Sequence, residues 1–138
     1  MASIREERML EMDSAKAWSA VRLVGEAHRL FAPVLVDGSL DGDTRTVRFA
    51  NGMTVRERIL DVDDEHRRVA YTALGADGVT YHHAEMAIDD LAPGRCVFVW
   101  TTDVLPDQAT GVIAPLMAQG ADALKANLEK LQRSAIAY

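Results

Sequence analysis

Residues 44–74 read TRTVRFANGMTVRERILDVDDEHRRVAYTAL and hold three runs of alternating polar and apolar residues separated by turn-forming residues. The runs over 44–50, 53–62 and 66–74 have the two-residue period of a half-buried β-strand. The pair Asn51-Gly52 between the first two runs predicts a two-residue hairpin turn. Strands joined by such short turns run antiparallel, so this stretch predicts three neighbouring strands of a meander.

Strand-like runs continue toward the C-terminus and are followed by a helical pattern. Residues 79–90 and 95–104 predict two further strands, and the second is apolar on both faces, which favours a central place in the sheet. Residues 112–131 repeat apolar side chains at three- and four-residue intervals, which is the pattern of an amphipathic helix.

Residues 3–12 predict a first strand, and residues 14–24 and 26–31 predict two short helices, the first capped by Asp13 or Ser14. The complete order is one strand, two short helices, about six strands in hairpins and one long helix. This order predicts an α+β fold in which the long helix covers the concave face of an antiparallel sheet.

Length and charge limit the classes of partner. The chain has 138 residues, the size of one domain, and a formal net charge of −6. Nucleic-acid binders carry a basic surface, so nucleic acid is not expected as a partner, and no apolar run is long enough to predict membrane insertion. Cys96 is the only cysteine, which excludes an internal disulfide, and with the charged N-terminus it favours a cytoplasmic protein.

The usual sequence signatures of metal and cofactor sites are missing. His28, His66 and Cys96 stand at no metal-ligand spacing from a carboxylate, and the glycines form no phosphate-binding loop. No Ser or Cys lies in a nucleophile elbow. We therefore expect no metal and no cofactor.

Three polar residues share the inward parity of the apolar strand positions: Arg45, Glu57 and His82. Glu57 and Arg45 lie on adjacent predicted strands, where Glu57 is either a pocket base or hydrogen-bond acceptor for a ligand, or the structural ion partner of Arg45. His82 and His83 point to opposite faces of one strand, so they cannot share a metal, and His82 is the one expected inside.

The two tryptophans are interpreted as core residues, with Trp100 on the outer face of the sheet beside the first strand. Gly120 interrupts the long helix at a cost of about 1 kcal/mol relative to alanine. It either lets the helix approach the sheet closely or leaves room for a ligand.

Five segments together carry a resemblance to a known superfamily. They are the opening helix at 13–21, the strand at 42–47, the hairpin formed by 55–60 and 63–71, and Ala-Leu-Lys-Ala-Asn-Leu-Glu at 123–129. In this order and spacing they resemble the START-related SRPBCC helix-grip superfamily, which includes polyketide cyclases and aromatases, abscisic-acid receptors and lipid-transfer proteins.

The resemblance implies a single helix-grip domain over residues 1–138, with about seven curved antiparallel strands around the C-terminal helix. It also implies an internal cavity whose mouth lies near the loops after Asp41, Asn51 and Leu74. The gate and latch motifs of the hormone receptors are absent from the loops after Asn51 and Leu74, so a receptor role does not carry over.

The function expected from these features is binding or transport of a small hydrophobic or aromatic molecule between the sheet and the C-terminal helix, by a monomer or a homodimer. The first alternative is a polyketide cyclase, aromatase or dehydratase that moves protons with Glu57, Arg45, His82 or Tyr71. The second is a partner-binding or structural protein whose cavity is filled by side chains. The residues expected to bind the ligand are Arg45, Val47, Phe49, Val55, Glu57, Ile59, Tyr71, His82, Met86, Leu116, Gly120, Leu124 and Asn127.

Overall fold

The fold was determined as a computed structural model that describes residues 2–136, with side chains described to residue 134. The ends of the expected domain, residue 1 and residues 137–138, lie outside the described residues. The strands are β1 (Ala2–Leu10), β2 (Leu35–Asp41), β3 (Thr44–Phe49), β4 (Thr54–Asp63), β5 (Arg68–Leu74), β6 (Tyr81–Ala92) and β7 (Arg95–Leu105). The helices are α1 (Ser14–Val21), α2 (Ala27–Leu30) and α3 (Thr110–Ile136), with single 3₁₀ turns at Val24–Glu26 and Asp107–Ala109.

The seven strands form one antiparallel sheet in the order β1-β7-β6-β5-β4-β3-β2. Strands β2 to β7 follow one another as a meander, and β1 pairs with β7 along its whole length, from Ala2 opposite Val104 to Leu10 opposite Cys96. The α+β prediction and its strand number are therefore confirmed. The central placement of β7 was wrong: β7 lies second from one edge, because β1 is added beside it.

Helix α3 packs on the concave face of the sheet, as predicted, and gives the helix-grip fold. Met117, Ala121, Leu124 and Leu128 follow helical spacing and are all buried. Beyond Gly120 this stripe packs into a closed core at the end of the sheet where β1 ends and β7 begins. The core there includes Leu10, Met12, Trp18, Ile88, Cys96 and Phe98.

The hairpin prediction was wrong in detail, and the prediction of the start of α1 was confirmed in position only. The loop between β3 and β4 has four residues, 50–53, and not two, because the Gly52 amide donates to the Phe49 carbonyl and Asn51 Oδ1 accepts from the Met53 amide. Asp13 is the N-cap residue of α1, but its side chain does not cap the helix. It accepts a hydrogen bond from the Gly94 amide instead and so ties α1 to the β6–β7 turn.

Candidate functional site

A cavity of about 950 Å³ lies between the concave face of the sheet and the first half of α3. Its walls are largely apolar and include Val47, Tyr71, Met86, Trp100 and Leu116. The cavity ends near Gly120, beyond which α3 meets the closed core. Sheet and helix therefore touch at one end and stand apart at the other.

The mouth of the cavity is formed by two hairpin loops and the start of α3. Met53 lines it from the β3–β4 loop, residues 75–79 line it from the β5–β6 loop, and Val112 lines it from the helix. The loop after Asp41 was expected at the mouth but lies at the other end of the sheet. Successive hairpins of a meander alternate between the two ends, so the β2–β3 turn cannot join the two loops that form the mouth.

An enclosed ion pair lies on the wall of the cavity. Arg45 and Glu57 are direct cross-strand partners on β3 and β4, and their side chains are 6% and 13% exposed. Arg45 Nη2 and Nε lie 2.7 and 2.9 Å from Glu57 Oε1, and Arg45 Nη1 donates to the Val24 carbonyl at 3.1 Å. Both contacts to Glu57 use Oε1, and no described residue is recorded as a hydrogen-bond partner of Oε2. Oε2 therefore remains available as an acceptor.

Tyr71 and Trp100 connect to the Arg45–Glu57 ion pair and continue the line of polar contacts across the sheet. The Arg45 guanidinium lies 5.0 Å from the centre of the Tyr71 ring, within the range of a cation–π contact. Trp100 Nε1 donates to the Tyr71 hydroxyl at 3.1 Å. Burial raises the pKa of Tyr71 well above its ordinary value, with the Glu57 charge as the next cause, so the phenol stays protonated at neutral pH.

His82 lines the cavity on β6, close to the mouth. Its Nδ1 accepts a hydrogen bond from the Ala73 amide at 3.0 Å, and its ring centre lies 5.8 Å from that of Tyr71. Burial lowers the pKa of His82, and the neighbouring His83 acts in the same direction, so the ring is neutral at physiological pH. His83 instead pairs with Glu85 through Nε2 at 3.2 Å.

Gly120 brings α3 close to the aromatic side chains of the cavity. A Cβ at this position would lie 3.1 Å from Trp100 Cζ3 and 3.4 Å from Phe31 Cδ1. Of the two explanations for this glycine, close approach of the helix is the one supported by these distances. The same position lines the inner end of the cavity.

Most of the residues expected at the site surround the cavity, but Ile59, Leu124 and Asn127 do not. Ile59 packs against the core and lines a separate shallow depression with Val24 and Leu40. Leu124 is fully buried in the closed core. The expected residues that line the cavity are Arg45, Val47, Phe49, Val55, Glu57, Tyr71, His82, Met86, Leu116 and Gly120.

Asn127 has a structural contact in place of the expected ligand contact. Its Nδ2 donates to the carbonyl oxygens of Leu30 and Ala32, both at 2.8 Å, and so ties α3 to the C-terminal end of α2. The helical pattern placed Asn127 at the edge of the apolar stripe but could not show which segment lies beside that edge.

The cavity has more lining residues than were expected from the sequence, and Phe31, Trp100 and Thr102 are among those that were missed. The expectation that Trp100 covers the outer face was wrong, since it shares the inward parity of Cys96, Phe98 and Thr102 on β7. Strand parity could have found both Trp100 and Thr102. Phe31 directly follows α2, and no periodic signal marks its direction.

Within residues 2–136, no group of three or more His, Cys, Asp or Glu side chains could hold a metal ion. None of the described helices is long and apolar enough to cross a membrane.

The sequence matches one family model, "Polyketide cyclase / dehydrase and lipid transport", over residues 1–135. No curated protein matches it. Among solved structures, XoxI from Bacillus cereus is similar with a TM-score of 0.82 at 18% identity, covering 96% of this chain and 99% of XoxI.

Two further similar structures are those of enzymes. Norcoclaurine synthase from Thalictrum flavum, in complex with dopamine and hydroxybenzaldehyde, has a TM-score of 0.76 at 19% identity, with 96% of this chain and 87% of that chain covered. The di-domain ARO/CYC protein BexL of the BE-7585A biosynthetic pathway has a TM-score of 0.75 at 15% identity, with 94% and 47% covered. At these identities the likeness shows a common fold.

Proposed function

Since the chain belongs to the polyketide cyclase / dehydrase and lipid transport family, we propose that it binds a small hydrophobic or aromatic molecule in the cavity between the sheet and α3. The observation that carries this proposal is the cavity itself, about 950 Å³ in volume with largely apolar walls. Small-molecule sites are commonly concave and mostly apolar, with a few polar groups that orient the ligand.

The polar end of the site suits a ligand hydroxyl. Arg45 neutralises Glu57 through Oε1, while Oε2 has no recorded partner among the described residues. A hydroxyl that donated to Oε2 would satisfy this acceptor without adding charge to the enclosed pair. We therefore place the polar end of the ligand at Glu57 and its apolar body toward Met86 and Trp100.

The test is to fill the cavity from α3 and measure binding of N-phenyl-1-naphthylamine, a neutral aromatic probe whose fluorescence rises in apolar surroundings. Leu116 lines the cavity, whereas Leu131 on the same helix is 62% exposed. We expect saturable binding to the wild type, at least about tenfold weaker binding to Leu116→Trp, and wild-type affinity for Leu131→Trp. Equal affinities for the two variants would place the probe outside the cavity.

A second candidate is an enzyme that removes a proton next to a ligand carbonyl. The specific observation is the enclosed Glu57 carboxylate, whose Oε2 has no recorded partner among the described residues. Its ion partner Arg45 lies over the ring of Tyr71, whose phenol is protonated. A carboxylate in such a place can accept a proton while a phenol donates a hydrogen bond to the developing enolate. Cys96 is a poor candidate nucleophile, because burial raises the pKa of its thiol to about 11.

The enzyme candidate is tested with 2-acetylnaphthalene in D₂O. Exchange of its methyl protons for deuterium, followed by NMR, should be faster with the wild type than in buffer, and Glu57→Gln should abolish the acceleration. Binding without faster exchange would leave the protein a binding module.

We infer the cellular compartment from the state of Cys96, the only cysteine in the sequence. Cys96 is free and buried, as expected of a protein from a reducing compartment such as the cytoplasm.

A further inference from the structure

The hydrogen bond between Ala73 and His82 fixes the tautomer of the imidazole. A backbone amide can only donate, so His82 Nδ1, which lies 3.0 Å from the Ala73 nitrogen, must be the unprotonated, accepting nitrogen. The proton of the neutral ring is then on Nε2. His82 therefore presents a hydrogen-bond donor at Nε2 and no acceptor.

Within the described residues this donor has no partner. No hydrogen bond from Nε2 to any described residue is recorded, although His82 lines the cavity. The bond to Ala73 replaces a regular ladder contact, because the recorded pairing of β5 with β6 stops at Tyr71 opposite Ala84. The two strands separate at the mouth, and the imidazole fills the gap between them.

His82 and Glu57 flank a small residue on neighbouring strands. Glu57 on β4 is paired directly with Ala73 on β5, and Ala73 is bonded to His82 on β6. Two regular strand spacings are about 10 Å, and the separation of β5 from β6 makes the distance between the backbones of Glu57 and His82 at least this large. The methyl group of Ala73 leaves the space between them to a ligand, with an acceptor on one side and a donor on the other.

We propose that His82 is a specificity-determining residue that donates a hydrogen bond from Nε2 to a neutral acceptor, such as a carbonyl oxygen, on an aromatic ligand. The proposal rests on the function proposed above and narrows its ligand class to uncharged aromatic carbonyl compounds. A ligand carboxylate fits poorly, because Arg45 is already paired with Glu57 and His82 is neutral.

The test compares 2-acetylnaphthalene with 2-ethylnaphthalene, which are similar in size and differ by one carbonyl oxygen. The measured quantity is the ratio of their dissociation constants, because the different hydration of the two probes cancels when this ratio is compared between variants. Loss of one hydrogen bond from His82 should lower the preference for the carbonyl probe by about tenfold.

Two variants separate the role in binding from the role in folding. In His82→Asn the amide oxygen lies near the former Nδ1, so it can accept from Ala73 while the donor at Nε2 is lost. In His82→Gln the amide nitrogen reaches the former Nε2 position and restores a donor. We expect His82→Asn to lose the carbonyl preference at nearly unchanged stability, and His82→Gln to retain most of it.

An unchanged ratio in His82→Asn would overturn the proposal, as would a ring proton found on Nδ1 by ¹⁵N NMR of the ligand-free protein. Binding of both probes with no role for His82 would leave the proposed function standing. Failure of both probes and of N-phenyl-1-naphthylamine to bind to the wild type would overturn the proposed function itself.

Discussion

At the residue scale, the site depends on a connected set of side chains that the sequence predicted only in part. The pairing of Arg45 with Glu57 followed from strand parity and from the short loop between their strands. The contacts of Arg45 with Tyr71 and with the Val24 carbonyl did not follow, because they join segments far apart in the chain. The ion pair forms as the structural interpretation predicts, and Oε2 stays available for the ligand contact proposed above.

Glu57→Gln should lower the free energy of unfolding by about 1–3 kcal/mol, because it leaves the enclosed Arg45 charge without a counter-ion. The matched control is Glu85→Gln, since Glu85 pairs with Arg68 on the outer face, where both side chains are about one third exposed. The control should cost less than about 1 kcal/mol. Urea unfolding of both variants checks this, and equal losses would contradict an enclosed, tightly held pair.

His82 should make stability depend on pH. Burial lowers the pKa of His82 in the folded chain, so between about pH 6.5 and the folded pKa the unfolded chain binds the extra proton and the folded chain does not. Its contribution to stability is complete above about pH 6.5 and decreases as the pH falls. The wild type should therefore lose more unfolding free energy than His82→Asn between about pH 7.5 and pH 5.5. Parallel losses in the two proteins would show that His82 does not titrate with folding.

At the element scale, periodicity predicted which elements form and how they pair, and it failed where an element meets an irregular segment. The stripe of α3 predicted the packing of Met117 and Leu128 correctly. The same stripe predicted that Asn127 contacts the ligand. Asn127 instead binds the end of α2, and the periodic pattern of α3 holds no information about that neighbouring segment. The end of the β5–β6 ladder at Tyr71 also escaped the pattern, since a side chain replaces the backbone bond there.

The two glycines of α3 provide an internal comparison. Gly111→Ala places a methyl group where nothing lies within 4 Å, so it should stabilise the protein by up to about 1 kcal/mol through helix propensity. Gly120→Ala brings the same gain but places its Cβ 3.1 Å from the Trp100 ring, which is held by its bond to Tyr71. The Gly120 variant should therefore be less stable than the Gly111 variant by about 1 kcal/mol or more. Equal stability in urea unfolding would show that Trp100 moves freely into the cavity.

At the scale of the whole molecule, the sequence predicted the class and order of elements because each strand and α3 buries one periodic face. The extent of the cavity was not predictable in the same way. Apolar residues such as Leu116 and Leu124 share one helical stripe, yet the first lines the cavity and the second is fully buried in the core. Which of the two occurs depends on the distance between helix and sheet, and that distance is set by contacts such as Gly120 against Trp100.

The space between the sheet and α3 is open at the mouth and filled by the core at the other end. A bound ligand should therefore change amide exchange at the mouth and not at the closed end. Strand β5 joins the two ends: the β4–β5 turn at 64–67 lies at the closed end, and the β5–β6 loop at 75–80 forms part of the mouth. Between β5 and β6 the backbone pairing ends at Tyr71 and Ala84, so amides near the mouth that face this gap should exchange through local opening. Bound 2-acetylnaphthalene should slow their exchange by closing the gap beside His82, while amides at 64–67 should be unaffected.

Hydrogen exchange with and without saturating 2-acetylnaphthalene measures this difference within one sample. Slower exchange over 72–83 with unchanged exchange over 64–67 is the expected result. Ligand binding also raises the free energy of global unfolding, by about 2.7 kcal/mol when the ligand concentration is 100 times the dissociation constant. Core amides that exchange only through global unfolding will slow for this reason, so they must be compared separately. Protection that appeared at the β4–β5 turn and not at the mouth would place the ligand in the shallow depression beside Ile59, and the cavity would then not be the binding site.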